Sequence, residues 1–280
     1  MPLMFEPVDE LLDLARMAER CGYHGLGLAD HVAVPREFQS VHPSGENPFT
    51  ADSSFPDTFT TISAMAAVTE RLRFMSYVYV LPMRDPFTVA KQVGTVACLS
   101  GGRVAFGVGA GWLTEEIALL GVDPRSRGAR MDEMLEVMTD LWHDGRAEHH
   151  GRFFDFPEVG MFPVPDQPVP VWVGGRSDAA LRRAVRHDGW LGMNYDLEEI
   201  ERLLARLARL RADAGDARDE FEVFVIANES PSVELLRRLD DSGVTSTMVM
   251  PWYPGDPAVV GLDAKRVAME RMAEALRLSS

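Results

Sequence analysis

Asp30 and His31 are the first residues along the chain whose types and position suggest acid–base chemistry. They follow a short apolar run at 25–29 that is typical of a strand. In an α/β barrel the reacting groups stand at the carboxyl ends of the strands. Histidine takes or gives a proton near neutral pH, and a carboxylate can join its hydrogen bonds. His31 is therefore our candidate catalytic residue. On the residues alone, the alternative is that His31 only hydrogen-bonds the loop that follows.

A second group of residues has the types that bind phosphate. Gly174, Gly175, Arg176 and Ser177 lie between an apolar run at 171–173 and a predicted helix. Backbone amides at a helix start, an arginine and a hydroxyl suit an anion, and late barrel strands commonly hold one. The alternative is that Ser177 and Asp178 only cap the helix.

The glycines of GVGAGW, at 107–112, invite comparison with a dinucleotide-binding loop. That comparison fails, because Trp112 stands where the third glycine of the fingerprint belongs. Two interpretations remain for Gly107 and Gly109: a tight strand exit, or a surface against which a planar ring packs.

The run at 72–81 is too long and too aromatic for a simple barrel strand. We predict a bulge at Ser76 and Tyr77 that turns a peptide toward the barrel mouth. The alternative is a plain strand with Tyr77 and Tyr79 on one face.

Helix and strand patterns alternate along almost the whole chain, which indicates repeated βα units and a parallel sheet. We predict one (β/α)₈ TIM barrel domain over residues 1–280, with a proline-rich, non-barrel insertion at about 144–170. Seven strands can be assigned, beginning at Gly25, Leu72, Val104, Val171, Gly189, Phe221 and Thr245. The first barrel strand is therefore missing or truncated. Either it lies upstream of Met1, which we favour, or residues 2–5 supply a stub.

The net charge of −15 argues against a nucleic-acid or anionic-membrane partner, because both require a basic face. Only two cysteines occur, so a secreted disulfide framework is not expected, and we predict reduced core thiols and a cytoplasmic protein. His143, His149 and His150 lack the spacing of metal ligands, and no metal site is predicted.

Six segments together resemble the luciferase-like monooxygenase family, and more narrowly its F420-dependent (deazaflavin) oxidoreductases. They are GLGLADH at 25–31, RLRFMSYVYVLPMRDP at 71–86, LSGGRVAFGVGAGW at 99–112, RGARMDEMLEVMTDLW at 127–142, GRFFDF at 151–156 and VPVWVGGRSDAALRRA at 169–184. The resemblance implies a barrel of the bacterial-luciferase type with a flavin or deazaflavin ring at its carboxyl face. Asp30 and His31 match the cofactor-side pair, Ser76 and Tyr77 match a bulge that is often a cis non-prolyl peptide behind the ring, and Gly174 to Ser177 match the phosphate site.

One departure from the family pattern bears on the substrate. Where F420 enzymes that oxidise sugar phosphates carry a catalytic glutamate after the glycines, this chain has Trp112. We assign Trp112 and the long polar loop at about 35–55 to the wall of the substrate pocket. Glu115 and Glu116 follow about one helical turn too late to replace that glutamate. Oxidation of a sugar phosphate is therefore not favoured. We expect hydride transfer between F420 and a small organic substrate that is unsaturated or contains a carbonyl group, with His31 as proton relay.

Three other functions stay open on the sequence. One is an FMN-dependent monooxygenase on the same barrel. The others are a cofactor-free isomerase or lyase for a phosphorylated metabolite, and a binding protein for such a ligand. A homodimer is also left open.

Overall fold

A computed structural model describes residues 1–45, 47–215, 218 and 220–278 of the protein. Ten strands lie in this part of the chain: β1 (Pro2–Leu3), β2 (Gly25–Leu28), β3 (Arg73–Ser76), β4 (Tyr79–Val80), β5 (Val104–Gly109), β6 (Arg146–His150), β7 (Asp155–Gly160), β8 (Val171–Gly174), β9 (Gly189–Tyr195) and β10 (Glu222–Ala227). The main sheet runs in the order β1-β2-β3-β5-β8-β9-β10, with β4 paired to β5, and it is parallel throughout. This curled parallel sheet confirms the predicted barrel class.

Helices connect successive strands, as parallel pairing requires. They are α1 (Leu11–Arg20), α2 (Thr58–Ala66), α3 (Pro86–Ser100), α4 (Thr114–Leu119), α5 (Arg127–Asp144), α6 (Asp178–Ala184), α7 (Leu197–Asp213), α8 (Val233–Asp241) and α9 (Gly261–Leu276). Neighbouring helices pack in a ring, α9 on α1, α1 on α2, α2 on α3 and α3 on α5.

The helix between β4 and β5 shows how the sequence sets an element. Asp85 accepts the Thr88 amide as the amino-terminal cap and Pro86 occupies the first turn, while Gly101 ends α3 with φ 65°. Midway along α3, a Cβ on Gly94 would lie 3.3 Å from the Trp142 ring of α5. The glycine lets that indole approach and donate to the Ala90 carbonyl at 2.8 Å. A large apolar side chain buried in this way contributes about 1.5–3 kcal/mol to stability.

The strand at the amino terminus is short. Pro2 and Leu3 pair with Gly27 and Leu28, and the Met1 ammonium donates to the Gly25 carbonyl at 2.9 Å. Residues 2–3 therefore form a two-residue strand beside β2, as expected for a truncated first strand.

At the other end of the sheet the prediction of a strand at 245–250 is wrong. Only Ser246 forms a parallel bridge, to Phe224, after Thr245 has hydrogen-bonded Val223. The chain then leaves β10, and Met248 comes close enough to Gly27 that a Cβ there would lie 2.6 Å from the Met248 methyl group. This segment therefore packs its side chains into the barrel without continuing the ladder.

Three further observations complete the fold. The segment at 144–170 contains the antiparallel hairpin of β6 and β7. Cys21 is partly buried and Cys98 is exposed, so the prediction that both thiols lie in the core is wrong for Cys98.

Within the described residues, no helix is both long and apolar enough to span a bilayer.

Candidate functional site

A cavity of about 1160 Å³ opens at the carboxyl ends of the parallel strands. Its walls come from the segments that follow β2, β3, β5, β8, β9 and β10. Eight of the predicted site residues line it: Asp30, His31, Tyr77, Gly109, Trp112, Gly174, Gly175 and Ser177. Three do not, namely Ser76, Gly107 and Arg176. A large concave surface with a few polar groups is the usual form of a small-molecule site.

The floor of the cavity is formed by the predicted bulge. Between β3 and β4 the chain leaves the ladder at Tyr77 and Val78, and the peptide that joins these two residues is cis. Ser76 Oγ donates to the Gly107 carbonyl at 2.8 Å, and Tyr77 Oη donates to the Gly192 carbonyl of β9 at 2.6 Å. The Tyr77 side chain thus ties the bulge to the opposite side of the sheet.

The glycines of β5 and β8 make room for that bulge. A Cβ on Gly107 would lie 1.9 Å from the Ser76 carbonyl oxygen, and a Cβ on Gly109 or Gly174 would lie within 2.8 Å of a Val78 methyl group. The expectation that a planar ring packs on Gly107 is therefore wrong, because the Ser76 backbone fills that space. Gly109 and Gly174 do line the cavity, next to Val78.

Asp30 hydrogen-bonds the chain just after the bulge. Its two carboxylate oxygens accept from Arg84 Nη2 at 2.6 Å and Nη1 at 2.8 Å, and the second oxygen also accepts the Val80 amide at 2.9 Å. The Arg84 guanidinium in turn lies 4.2 Å from the centre of the Tyr79 ring. Although Asp30 borders the cavity, the hydrogen bonds of its carboxylate are to Arg84 and the Val80 amide.

His31 faces a carboxylate that sequence reasoning had set aside. His31 Nδ1 lies 2.6 Å from Glu116 Oε2, and the side chains of His31 and Glu116 are only 8% and 1% exposed. The other carboxylate oxygen, Oε1, accepts the amides of Val32 at 2.6 Å and Ala33 at 3.0 Å. Burial acts to raise the pKa of Glu116, but the bonds from His31 and the two amides outweigh it and hold that pKa below its usual value.

Glu115, the preceding residue, anchors the loop that carries this part of the site. Its carboxylate accepts from Ser40 Oγ at 2.6 Å and from the Gln39 and Ser40 amides at 2.7 and 3.1 Å. These bonds, chiefly the one from Ser40, lower the pKa of Glu115 to about 2. Successive carboxylates of α4 therefore hold both ends of the segment 31–40.

Four aromatic side chains, Phe5, Phe49, Phe55 and Trp112, form what we call the aromatic wall. The His31 ring centroid lies 4.6 Å from that of Phe49, 4.8 Å from Phe55 and 6.2 Å from Trp112. Phe5 packs edge-on to Phe55 at 5.3 Å, and Phe5 has a φ of 61°. A left-handed backbone at a non-glycine residue costs about 1–3 kcal/mol and occurs preferentially at functional sites.

The predicted anion site lies at the opposite wall. Ser177 Oγ accepts the Ala180 amide at 3.2 Å as the cap of α6, and the Trp190 indole donates to the Gly175 carbonyl at 2.7 Å. Gly175 has a φ of 122°, and a Cβ there would lie 2.9 Å from the Ala180 methyl group. The arginines that line the cavity are Arg125, Arg127 and Arg183, rather than the exposed Arg176.

Sequence reasoning missed Glu116 as the partner of His31, and it missed Phe5. Phe49 and Phe55 lie in the loop at about 35–55 that was expected to line the pocket, but neither was singled out. The pair TEE at the start of a predicted helix was visible, but only the fold shows that it faces the loop after β2. Among the described residues, no cluster of histidine, cysteine and carboxylate side chains has the arrangement of a metal site.

Comparison with known proteins adds to this geometry. Residues 2–232 match the family model described as luciferase-like monooxygenase. An uncharacterized protein of Mycobacterium tuberculosis is 41% identical over 269 residues, covering 94% of this chain and 93% of its own. An F420-dependent glucose-6-phosphate dehydrogenase of Rhodococcus erythropolis is 27% identical over 238 residues, covering 81% of this chain and 67% of the enzyme.

Among solved structures, an F420-dependent secondary alcohol dehydrogenase in complex with an F420-acetone adduct is similar, with a TM-score of 0.79 at 14% identity. The superposition covers 100% of this chain and 97% of that one. At that identity the similarity supports the fold alone.

Proposed function

Since the chain belongs to the luciferase-like monooxygenase family, we propose that it is an oxidoreductase that transfers a hydride between coenzyme F420 and a small organic substrate. The observation that carries the proposal is the His31–Glu116 pair at the edge of the cavity, joined at 2.6 Å and almost fully buried. The F420-dependent relative at 27% identity supports the choice of cofactor.

The residues of the cavity fit a deazaflavin. The floor of the cavity, at Tyr77 and Val78, lies beside Gly109 and Gly174. Because neither glycine has a side chain, a flat ring can lie on this floor. Arg125 and Arg127 border the same cavity as Gly175 and Ser177, and supply positive charge for a phosphate in a chain of strongly negative net charge. Arg183 also borders the cavity, but its guanidinium is paired with Asp132 at 2.6 Å. We propose these residues, with Arg176 nearby, as the cofactor site.

His31 is the proposed proton relay. Because the pKa of Glu116 is held low, its carboxylate is ionised at neutral pH and accepts from Nδ1–H of His31. The proton that His31 gives or takes is then at Nε2. When bound, a deazaflavin supplies a carbon that donates or accepts a hydride. The rings of the aromatic wall cover His31 and keep water from it. Because the local dielectric constant is then low, the electrostatic interaction between His31 and Glu116 is stronger than in water.

Identification of the cofactor tests this proposal. We expect the protein purified from an F420-producing host to retain F420, detected by mass spectrometry. Recovery of FMN without F420 would instead support the second candidate, an FMN-dependent monooxygenase, which the family description favours equally on sequence. Recovery of neither, with no binding of either on addition, would support a cofactor-free barrel.

Replacement of His31 tests the relay. We expect His31→Asn to lower kcat by about 10²–10⁴-fold, the usual contribution of a positioned acid or base. The matched control is His143→Asn, because the His143 side chain is 79% exposed and pairs only with its neighbour Asp144. Unchanged turnover in His31→Asn would contradict the relay.

A further inference from the structure

The aromatic wall is the part of the cavity that faces His31, and its surface is apolar. Its rings contact one another as well as the histidine: Phe49 lies 5.0 Å from Phe55 and 5.8 Å from Trp112. Phe49 is buried, whereas Phe5, Phe55 and Trp112 are partly exposed toward the cavity that all four line. Rings in such contacts offer a flat partner both stacking surface and burial.

In the described part of the chain, the contacts of this wall include no cationic partner for an anionic group. None of the cation–ring contacts among the described residues involves these four side chains. The nearest ionised side chain that the structure gives to His31 is the carboxylate of Glu116. A phosphate placed here would lose its hydration and face a like charge, which is costly unless it is paired.

His42 provides a neutral hydrogen-bond donor beside Trp112. The two ring centroids lie 5.1 Å apart, and both residues line the cavity. His42 Nδ1 accepts the Ser44 backbone amide at 3.2 Å and lies 2.6 Å from Ser44 Oγ. Because a backbone N–H only donates, Nδ1 carries no hydrogen, and the ring hydrogen is on Nε2. Burial, followed by the nearby His31, lowers the pKa of His42, so the neutral form persists at pH 7.

We propose that the aromatic wall and His42 form the substrate subsite, and that this subsite selects an uncharged, flat, unsaturated carbonyl compound over a phosphorylated or polyhydroxylated one. The rings bind the unsaturated skeleton, and Nε2–H of His42 donates to the carbonyl oxygen. Trp112 occupies the centre of this arrangement, in contact with both histidines. The inference rests on the proposed function in one respect, that the cavity is the active site.

The affinity of small probes tests the inference. We would measure binding of cyclohex-2-en-1-one and of glucose 6-phosphate by ligand-observed NMR, with the protein first free of added cofactor and then saturated with oxidised F420. We expect the enone to bind at least about tenfold more tightly than the sugar phosphate, since the subsite supplies apolar area but no counter-ion. In the cofactor-free protein the phosphate of glucose 6-phosphate can also bind the proposed phosphate site beside Arg125 and Arg127, so the F420-saturated protein gives the deciding comparison. Equal or tighter binding of glucose 6-phosphate to that form would overturn the proposal.

Variants assign the selectivity to these residues. Trp112→Ala is expected to weaken enone binding by about tenfold, whereas Trp112→Phe retains most of it. His42→Phe keeps a ring but removes the donor and is expected to weaken binding, while His42→Gln restores a donor and part of the affinity. Phe162→Ala is the control, because this ring is 62% exposed and lies outside the cavity. Wild-type enone affinity in Trp112→Ala, with Tm showing that the variants are folded, would overturn the proposal.

F420 affinity, followed by the fluorescence of the coenzyme, separates failure of the subsite from failure of the proposed function. If F420 binds the wild type and the variants alike but the enone shows no preference, the subsite proposal alone fails. If neither F420 nor FMN binds, the proposed function fails, and Trp112→Ala still tests the wall in the cofactor-free protein. Loss of enone affinity without loss of glucose 6-phosphate affinity supports the subsite, and the reverse overturns it.

Discussion

Glu116 is the residue on which both the position of His31 and the start of its loop depend. One carboxylate oxygen accepts from the histidine and the other accepts two backbone amides, at a side chain that is almost fully buried. A substitution there affects stability as well as chemistry, because buried donors are left without an acceptor.

We expect Glu116→Ala to lower the free energy of unfolding by about 1–3 kcal/mol for the unsatisfied buried groups, and to lower kcat as well. Urea denaturation and steady-state kinetics measure the two effects. The matched control is Glu148→Ala in the hairpin, a carboxylate that is largely exposed and pairs only with His150. Wild-type stability of Glu116→Ala would show that water replaces the carboxylate.

Replacement of Gly107 by alanine tests whether β5 needs a glycine where the bulge approaches it. In Gly107→Ala the new methyl group would overlap the Ser76 carbonyl oxygen, a backbone atom that cannot rotate away. We expect a loss of about 1–3 kcal/mol, measured as a shift in the denaturation midpoint. Gly160→Ala serves as the control, since its Cβ would make only ordinary contacts, the nearest at 3.9 Å. Equal stability of the two variants would contradict this explanation of the β5 glycine.

The short helix α4 is the element that connects chemistry to loop structure. Its first turn carries Glu115 and Glu116, which accept backbone amides from the loop after β2. Sequence reasoning identified the strand ends and placed the candidate residues at one edge of the sheet, because parallel strands bring their carboxyl ends together. It could not identify partners such as His31 and Glu116, since 85 residues separate them and no local pattern records the contact.

Long-range contacts, which local sequence patterns do not record, also decided the outcome at the β5 glycines and at the predicted strand 245–250. The pattern at 104–109 predicted a strand with bare backbone at its end, and the structure contains it. What fills the space beside Gly107 depends on the register of β3 against β5, and this is a tertiary property. Residues 245–250 have strand propensity, but only Ser246 pairs with β10.

The stability that Glu115 contributes by binding the loop should be lost at acid pH. The folded-state pKa of this carboxyl, about 2, lies below the ordinary value of 4.5, so its contribution to stability is present above pH 4.5 and is lost as the pH falls from about 4.5 to about 2. We expect Glu115→Gln to lack this part of the acid dependence, so that the difference in stability between wild type and variant shrinks across that interval. Denaturation midpoints at several pH values measure the difference, with Glu148→Gln as the control. A difference that is constant with pH would contradict the assignment.

At the scale of the whole molecule, one buried ion cluster joins the two ends of the chain. Lys265 of α9 contacts the carboxylates of Glu6, at 2.5 Å, and Glu10, and Trp252 donates to Glu6 at 2.8 Å. Lys265 and Glu6 are each only 7% exposed at the side chain. The cluster fixes α9 to the segment that follows β1, which is one of the two strands of the sheet that have only two residues.

Removal of the cation should therefore destabilise the fold as a whole. We expect Lys265→Met to lower the free energy of unfolding by about 3–5 kcal/mol, because it leaves the carboxylates of Glu6 and Glu10 without their buried cation. The control is Lys91→Met, since Lys91 is exposed and donates only to the Phe162 carbonyl.

The same cluster predicts an alkaline limit. Burial acts to lower the pKa of Lys265, but Glu10 and Glu6 raise it above its ordinary 10.5. Its stabilising effect is thus complete below pH 10.5 and is lost as the pH rises through the folded-state pKa. Thermal unfolding between pH 9 and 12 should show a fall in Tm that Lys265→Met lacks; parallel curves would contradict the cluster's role.

The adjacent carboxylates of α4 have a consequence for redesign of the protein. Because the loop 31–57 is tied at its start by a six-residue helix through Glu115, Glu116 and Thr114, loop and helix can be exchanged between relatives as a pair. A chimera that transplants the loop alone would lose its attachment, whereas one that carries residues 112–119 with it would keep the hydrogen bonds from Glu115 and Glu116 that hold the loop on the barrel.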